Sequence, residues 1–449
     1  MFDVSTASLI IVLLLVLVLL GFHVAIALGV TSAIGIYLVT GKLRIVEATL
    51  ASTSAEALRD FTFAVIPLFM LMGEFIGRSG AITDIYVAIN KGLKRIPARL
   101  AIATVLGNTV FSFVTGVSIA SAAAFSRIAY PEMKAHNYNR AFSLGAIAGS
   151  SVLGMLIPPS VLMIVWGILT EQSIGRLFLA GVLPGILLAA LFILYIVTVA
   201  ILRPEVVGEG PVHVDPDDID PALDTTKAPL PPLQFFTSAT GVLGIIGGVL
   251  GGIWWGIFTP TEGAGAGAAL ALILALLKGM GWRGFIDGIY AVGKTAAPIL
   301  ILLLTAALYS RTLAMTGVTT AIRSFFVESG LDPFVILAII VLVWFVLGMI
   351  IDSISIMLLT VPIVEPVALA FGFDQLSFAI VGIIAIEAGL LTPPFGLLVF
   401  TVKAAIQDPE VGVQRIFLAS IPYWGIMLFV VLLIVAFPQI ANLLPDALM

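Results

Sequence analysis

Long apolar stretches alternate with short polar breaks along the whole chain. Ser5 to Val39 reads as two short spans hinged at Gly21-Phe22-His23, and a polar stretch from Gly41 to Asp60 follows. Phe61 to Ile76 is the next span, ending near Arg78-Ser79-Gly80, and an amphipathic piece with a basic end comes after it. Ala101 to Pro131 is apolar but interrupted midway by Thr115-Gly116-Val117-Ser118-Ile119-Ala120-Ser121. Ala141 to Trp166 is broken by Gly154 and Pro158-Pro159, and Leu177 to Leu202 closes the first half. After a polar gap the plan returns: Ala239 to Trp255, Gly256 to Leu277, Ala297 to Leu313 matching Phe61 to Ile76, an interrupted stretch from Val335 to Pro366, a broken span from Phe378 to Val402, and Phe417 to Phe437. A bilayer span takes about 20 apolar residues, so the pattern predicts a polytopic all-α membrane protein. Continuous Leu/Ile/Val runs are not the alternating strands of an outer-membrane barrel.

The two halves match residue by residue. Gly-Met-Leu-Ile-Pro-Pro at Gly154–Pro159 returns as Gly-Leu-Leu-Thr-Pro-Pro at Gly389–Pro394, an offset of 389 − 154 = 235. Arg-Leu-Phe-Leu-Ala from Arg176 returns as Arg-Ile-Phe-Leu-Ala from Arg415, an offset of 415 − 176 = 239. Pro131 and Pro366 share the offset of 235. The expected organisation is a first repeat over 1–203, a linker over 204–236 and a second repeat over 237–449. The hairpins lie at about 101–131 and 335–366, and the broken helices at about 141–166 and 378–402.

Composition sharpens the class. Of the 449 residues 60% are apolar and 10% charged, against roughly 25% charged in soluble domains. No cysteine is present, which removes disulfides and thiolate chemistry. The start lacks a basic, cleavable signal pattern, so the first apolar run is expected to stay as a span. The stretch from Glu205 to Gln234 holds seven acids and one lysine with many prolines, the mark of a solvated connector.

Charge sets the expected topology. Lys91, Lys94, Arg95 and Arg99 make the loop before the first hairpin basic, whereas its counterpart carries Glu328 and Asp332. Lys134 and Arg140 follow the first hairpin, and only Asp374 follows the second. By the positive-inside rule the halves are inverted, with termini outside and the acidic linker in the cytoplasm. Lys42 and Arg44 run against this assignment.

An interrupted membrane helix leaves backbone groups unpaired, which is costly in hydrocarbon unless protein or an ion satisfies them. Each interrupted stretch reads as a re-entrant hairpin, with tips at Thr115–Ser118 and Ile351–Ser355; a kinked span is the alternative. Each Pro-Pro pair forces an unwound stretch that frees upstream carbonyls, hard oxygen ligands suited to a small alkali cation. One expected cation site joins Thr115, Gly116 and Val117 to Gly154, Ile157 and Pro159. The other joins Ile351 and Asp352 to Gly389, Thr392 and Pro394. Packing kinks are the alternative. Asp352, an acid within an apolar segment, is a candidate charged ligand. Glu387 is a second acid of this kind, for ion or proton, while Glu74 and Glu262 read as structural acids at helix ends. The hydroxyls of Ser118, Ser353 and Ser355, with helix N-termini, are candidate donors to an anion. Duplicated broken helices are the sequence mark of a secondary transporter. There is no P-loop, the histidines (His23, His136, His213) are scattered, and no enzyme, cofactor or nucleic-acid partner is expected.

These motifs together resemble the large membrane subunit of TRAP transporters, the tripartite ATP-independent periplasmic carriers. The resemblance is carried by Gly154-x-x-x-Pro158-Pro159-Ser160, Ser173-Ile-Gly-x-Leu-Phe-x-Ala-Gly-x-x-Pro-Gly185, Ile66-Pro-Leu-Phe-Met-Leu-Met-Gly-Glu74, Thr259-Pro-Thr-Glu262 and Leu391-Thr-Pro-Pro-Phe-Gly396. It covers nearly the whole chain outside the linker. It implies an elevator-type fold with a scaffold and a mobile transport domain in the bacterial or archaeal cytoplasmic membrane. It also implies sodium-driven import of a carboxylate, a small four-helix membrane subunit and a periplasmic substrate-binding protein. It implies sodium ligation at Thr115, Gly154, Ile157 and Pro159, and at Asp352, Gly389, Thr392 and Pro394. Ser160, inside the matching motif, joins the substrate candidates. The first tip departs from the family's Ser-Gly-Ser, and Ser121 stands where the family places an Asp, so the family's substrates do not transfer directly. A stand-alone sodium/dicarboxylate symporter and a membrane scaffold that only anchors a partner are the competing readings.

Overall fold

The computed structural model describes residues 4–208, 232–406 and 408–449; most of the acidic linker lies outside them. The elements up to the linker are α1 (Val4–Leu19), α2 (Val24–Thr40), α3 (Leu43–Arg59), α4 (Val65–Arg78), α5 (Ala81–Gly92), α6 (Arg99–Thr115), α7 (Ser118–Ala135), α8 (Arg140–Ser151), α9 (Leu153–Leu156), α10 (Val161–Thr170) and α11 (Ile174–Leu202). Beyond it come α12 (Pro232–Trp254), α13 (Pro260–Leu277), α14 (Trp282–Thr316), α15 (Val318–Glu328), α16 (Pro333–Gly348), α17 (Ser353–Ala370), α18 (Gln375–Gly389), α19 (Leu397–Ile406), α20 (Val413–Ala436) and α21 (Gln439–Leu448). Eight helical stretches among the described residues are long and apolar enough to cross a bilayer, making this a multi-pass membrane protein.

Local chemistry sets many of the boundaries. Thr259, Pro260 and Glu262 form a capping box at the start of α13, the Thr259 N–H reaching Glu262 Oε2 at 2.8 Å. Asp332 caps α16 through the Phe334 N–H at 2.8 Å, and Asp374 caps α18 through the Ser377 N–H at 2.8 Å. Gly116 ends α6 with φ +61°, and Gly317 ends α14 with φ +70°, a backbone region glycine enters without Cβ strain.

The order of elements recurs across the linker, and the packing is reciprocal. First-half α4 lies along second-half α13, and second-half α14 along first-half α2. Likewise α7 packs on α19 and α17 on α10, while α8 packs on α20 and α18 on α11. Swapping the halves turns each pairing into its partner. The early helices of both halves gather into one group, and the hairpins and broken helices into another, joined mainly through α4, α5, α14 and α15.

Three details depart from the sequence reading. The polar stretch after Gly41 is the helix α3, which buries Val46, Thr53 and Ala57 along one face. The segment matching Phe61–Ile76 is the interior of one 35-residue helix, α14, that takes Pro298 in its stride. In the first half Asp60 instead breaks the helix, its carboxylate accepting the Thr62 N–H at 2.9 Å. Pro131 and Pro366 do not end the hairpins, because α7 and α17 continue past them to Ala135 and Ala370.

Candidate ion and substrate site

Both interrupted stretches are helical hairpins, α6–α7 and α16–α17, and both Pro-Pro pairs sit in unwound breaks, between α9 and α10 and between α18 and α19. Pro158-Pro159 and Pro393-Pro394 each carry a cis peptide bond. Each tip meets the break of its own half. The Val161 N–H donates to the Gly116 carbonyl at 3.1 Å, and the Phe395 N–H donates to the Met349 carbonyl at 3.1 Å.

Around the first tip the packing is backbone to backbone. A Cβ on Gly116 would run into the Pro159 carbonyl, and one on Gly154 would stand 3.0 Å from the Ser118 nitrogen. Ile157 is extended, fully buried and packed against Gly185 of α11. Thr115 turns its hydroxyl onto its own helix, donating to Phe111 O at 3.1 Å. Ser160 caps α10 and donates to Met155 O, so its hydroxyl is committed to the break. Asn108 donates to Ser150 at 2.7 Å beneath the tip, while Ser121 Oγ, buried beside Gly154, has no hydrogen-bond partner. The expected group of Thr115, Gly116, Gly154 and Pro159 therefore comes together in one buried place.

The second tip is built alike but opens to the surface. Gly348 and Gly389 bring α16 and α18 into contact: a Cβ on Gly389 would stand 2.6 Å from Gly348 Cα. Thr392 donates to Gly389 O at 2.7 Å, leaving the break polar inside. Asp352 caps α17, accepting from the Ser355 N–H at 3.0 Å and from its hydroxyl at 2.5 Å. Ser355 is thus held by Asp352. Pro393, Pro394 and Phe395 are exposed and Asp352 is half-buried, whereas every residue from Gly154 to Ser160 is buried.

The two tips meet on one side chain. Glu387 of α18 is 1% exposed and accepts the Ser353 hydroxyl at 2.6 Å. The Ser118 hydroxyl stands beside the same carboxyl without closing a regular hydrogen bond. Ser118 and Ser353 are equivalent positions, 353 − 118 = 235, each the first residue of its hairpin's second arm. Glu74 pairs instead with Arg78 at 2.6 Å on α4, inside the helix rather than at its end, and Glu262 serves the capping box.

Sequence reasoning missed a second layer of polar contacts behind the hairpins. Tyr130 of α7 donates to Asp408, in the loop after α19, at 2.8 Å; Arg140 pairs with Glu410 in the same loop. At the equivalent place Glu365 of α17 accepts from Gln172, in the loop after α10, at 3.2 Å, and from Gln375 at 3.0 Å. The positions correspond: 365 − 130 = 235, 375 − 140 = 235 and 408 − 172 = 236. The offset of the motifs is the signal that points to them.

Paired hairpins and broken helices around a buried polar centre, in a chain of membrane-spanning helices, define a helical membrane transport protein. Its sequence matches the family described as "Tripartite ATP-independent periplasmic transporter, DctM component" over residues 11–440. The chain belongs to this family and is a TRAP large permease subunit. It is 29% identical to the C4-dicarboxylate TRAP transporter large permease of Pseudomonas aeruginosa, covering 89% of each chain. It is 30% identical to the ectoine TRAP transporter large permease of Halomonas elongata, covering 96% of each. The solved structure of the Alcanivorax borkumensis YdaH transporter shares the fold, with TM-score 0.63 at 13% identity over 90% of each chain.

Proposed function

We propose that this chain is the sodium-driven permease of a tripartite carrier that imports an organic acid across the cytoplasmic membrane. A periplasmic binding protein hands over the substrate, and a small membrane subunit completes the complex. The observation that carries this reading is the meeting of each hairpin tip with the Pro-Pro break of its own half. Tip and break together offer carbonyl and hydroxyl oxygens without a fixed cation, which suits an alkali ion in each half. Thr115, Gly116, Gly154, Ile157 and Pro159 form the first sodium position; Asp352, Gly389, Thr392 and Pro394 form the second. The substrate lies between the tips, where the unpartnered Ser118 hydroxyl and the N-termini of α7 and α17 present donors to a carboxylate, while the Ser353 and Ser355 hydroxyls are already given to Glu387 and Asp352. Ser160 supports the first break rather than the substrate.

The halves are inverted repeats, and reciprocal packing is what an inverted pair related by an in-plane two-fold produces. The hairpin group moves as one body against the early helices in an elevator stroke. Ectoine and C4-dicarboxylate relatives mark small carboxylates as the substrate class to test first.

The test is uptake into proteoliposomes under an inward sodium gradient, with the chain alone, with the small subunit, and with the binding protein. Uptake only with all components and sodium is the expected result. Uptake of free substrate by this chain alone would make it a stand-alone symporter, and sodium-independent uptake would remove the two ion positions.

A further inference from the structure

Glu387 is the feature that the two sodium positions leave unexplained. It lies deep in α18, and its Oε2 has no hydrogen-bond partner, nor does the neighbouring Ser118 Oγ. The repeat supplies an internal control. The equivalent of Glu387 in the first half, at 387 − 235 = 152, is Val152, which is also 1% exposed. A valine therefore fills the equivalent buried position of the first half, and burial there does not require a carboxyl.

A bare carboxylate sealed away from water is heavily penalised unless it is paired. The charged groups of the elements around α18 do not pair it. Arg176 bonds Asp446 at the start of α11, Arg415 is exposed in the first turn of α20, and Glu365 is held by Gln172 and Gln375. Asp352, one residue from Ser353, is itself an acid. Yet Glu387 faces the place where the two tips meet, beside the seat of an anionic substrate, which it would repel.

We infer that Glu387, with the hydroxyl oxygens of Ser118 and Ser353, forms a third cation site that takes a sodium-sized monovalent ion. Carboxylate and hydroxyl oxygens are the hard donors such an ion selects. The site differs from the other two in drawing on both hairpins at once. A cation there cancels the carboxylate beneath the substrate and ties the two tips together, so ion and anion favour each other's binding. The inference rests on the sodium-carrier reading above and adds one ion to it.

The test counts bound sodium by equilibrium dialysis of radioactive sodium against the full chain in nanodiscs, without substrate. Glu387→Gln is expected to hold one sodium fewer per chain than wild type. Its sodium-driven uptake should lose steepness in sodium concentration, with a Hill slope lower by up to one. Ser118→Ala keeps the carboxyl and is expected to weaken the affinity of that same ion; it decides the matter if Glu387→Gln does not fold. Equal sodium counts and affinities in wild type and variants would overturn the third site while leaving the carrier intact. A wild type that binds no sodium would instead remove the sodium-carrier reading and this site with it.

Discussion

The phenol of Tyr130 donates to Asp408 at 2.8 Å across 278 residues of sequence, fastening the first hairpin to the second half's loop. Asp408 also accepts the Glu410 N–H at 3.0 Å, and its backbone carbonyl accepts Lys403 Nζ at 2.6 Å. Glu365, Gln172 and Gln375 do the same work for the second hairpin. Removing one partner of a buried hydrogen bond costs about 1–3 kcal/mol. Tyr130→Phe should therefore lower unfolding stability by about that amount. A double-mutant cycle with Asp408→Ala, read by thermal unfolding in detergent, checks it; a coupling energy of zero would show that the bond holds nothing.

Asp408 also predicts a pH dependence. Burial pushes its carboxyl up, but the Tyr130 and Glu410 hydrogen bonds and the charges of Arg140 and Lys134 outweigh that and hold it below the usual range. An aspartate in the unfolded chain titrates near about 3.9. The folded value being lower, the stabilisation is complete above the unfolded value and disappears as pH falls through the folded one. Unfolding temperature measured from about pH 6 down to pH 3 should fall less steeply in Asp408→Asn than in wild type.

Gly389 and Gly348 touch backbone to backbone, so a methyl group at either must push two helices apart. Gly389→Ala is expected to cost about 1–3 kcal/mol by overpacking and to raise the sodium concentration needed for half-maximal uptake. Gly244→Ala on α12, where a Cβ meets nothing within 4 Å, is the control and should behave as wild type in both assays.

Asp352 caps α17, and substitutions can separate that role from the proposed one of holding an ion. Asparagine caps a helix about as well as aspartate, so Asp352→Asn keeps the start of α17 and removes the charge. Its stability should change little while its sodium requirement rises or uptake stops. Asp352→Ala should lose about 1 kcal/mol more through the missing cap. Full uptake with unchanged sodium dependence in Asp352→Asn would remove the ion-binding role.

The hairpins and breaks are legible in sequence because their causes are local. Thr115-Gly116 stops a helix through the conformation glycine permits, and Pro158-Pro159 removes backbone donors wherever it is placed. The helix α3 escapes the sequence reading: Val46, Thr53 and Ala57 recur at helical spacing, but the polar composition around them hides the stripe. The meeting of Ser118 and Ser353 at Glu387 is a different matter. Nothing local in α18 says that two tips separated by 235 residues arrive at one carboxyl. The same holds for Tyr130 and Asp408, whose pairing is visible only once both halves are packed, although the repeat offset already aligns them with Glu365 and Gln172.

The exchange of fastenings between halves carries a consequence for how the protein is made. The first hairpin leaves the ribosome 278 residues before its anchor exists. At synthesis rates of about 5–20 residues per second, that is a wait of roughly 14–56 s. During it α7 has only its own half to lean on, and the Tyr130 hydroxyl is without Asp408. The first hairpin's fastening then closes only when the late half arrives. Biogenesis, and not only transport, thus depends on the second copy of the repeat.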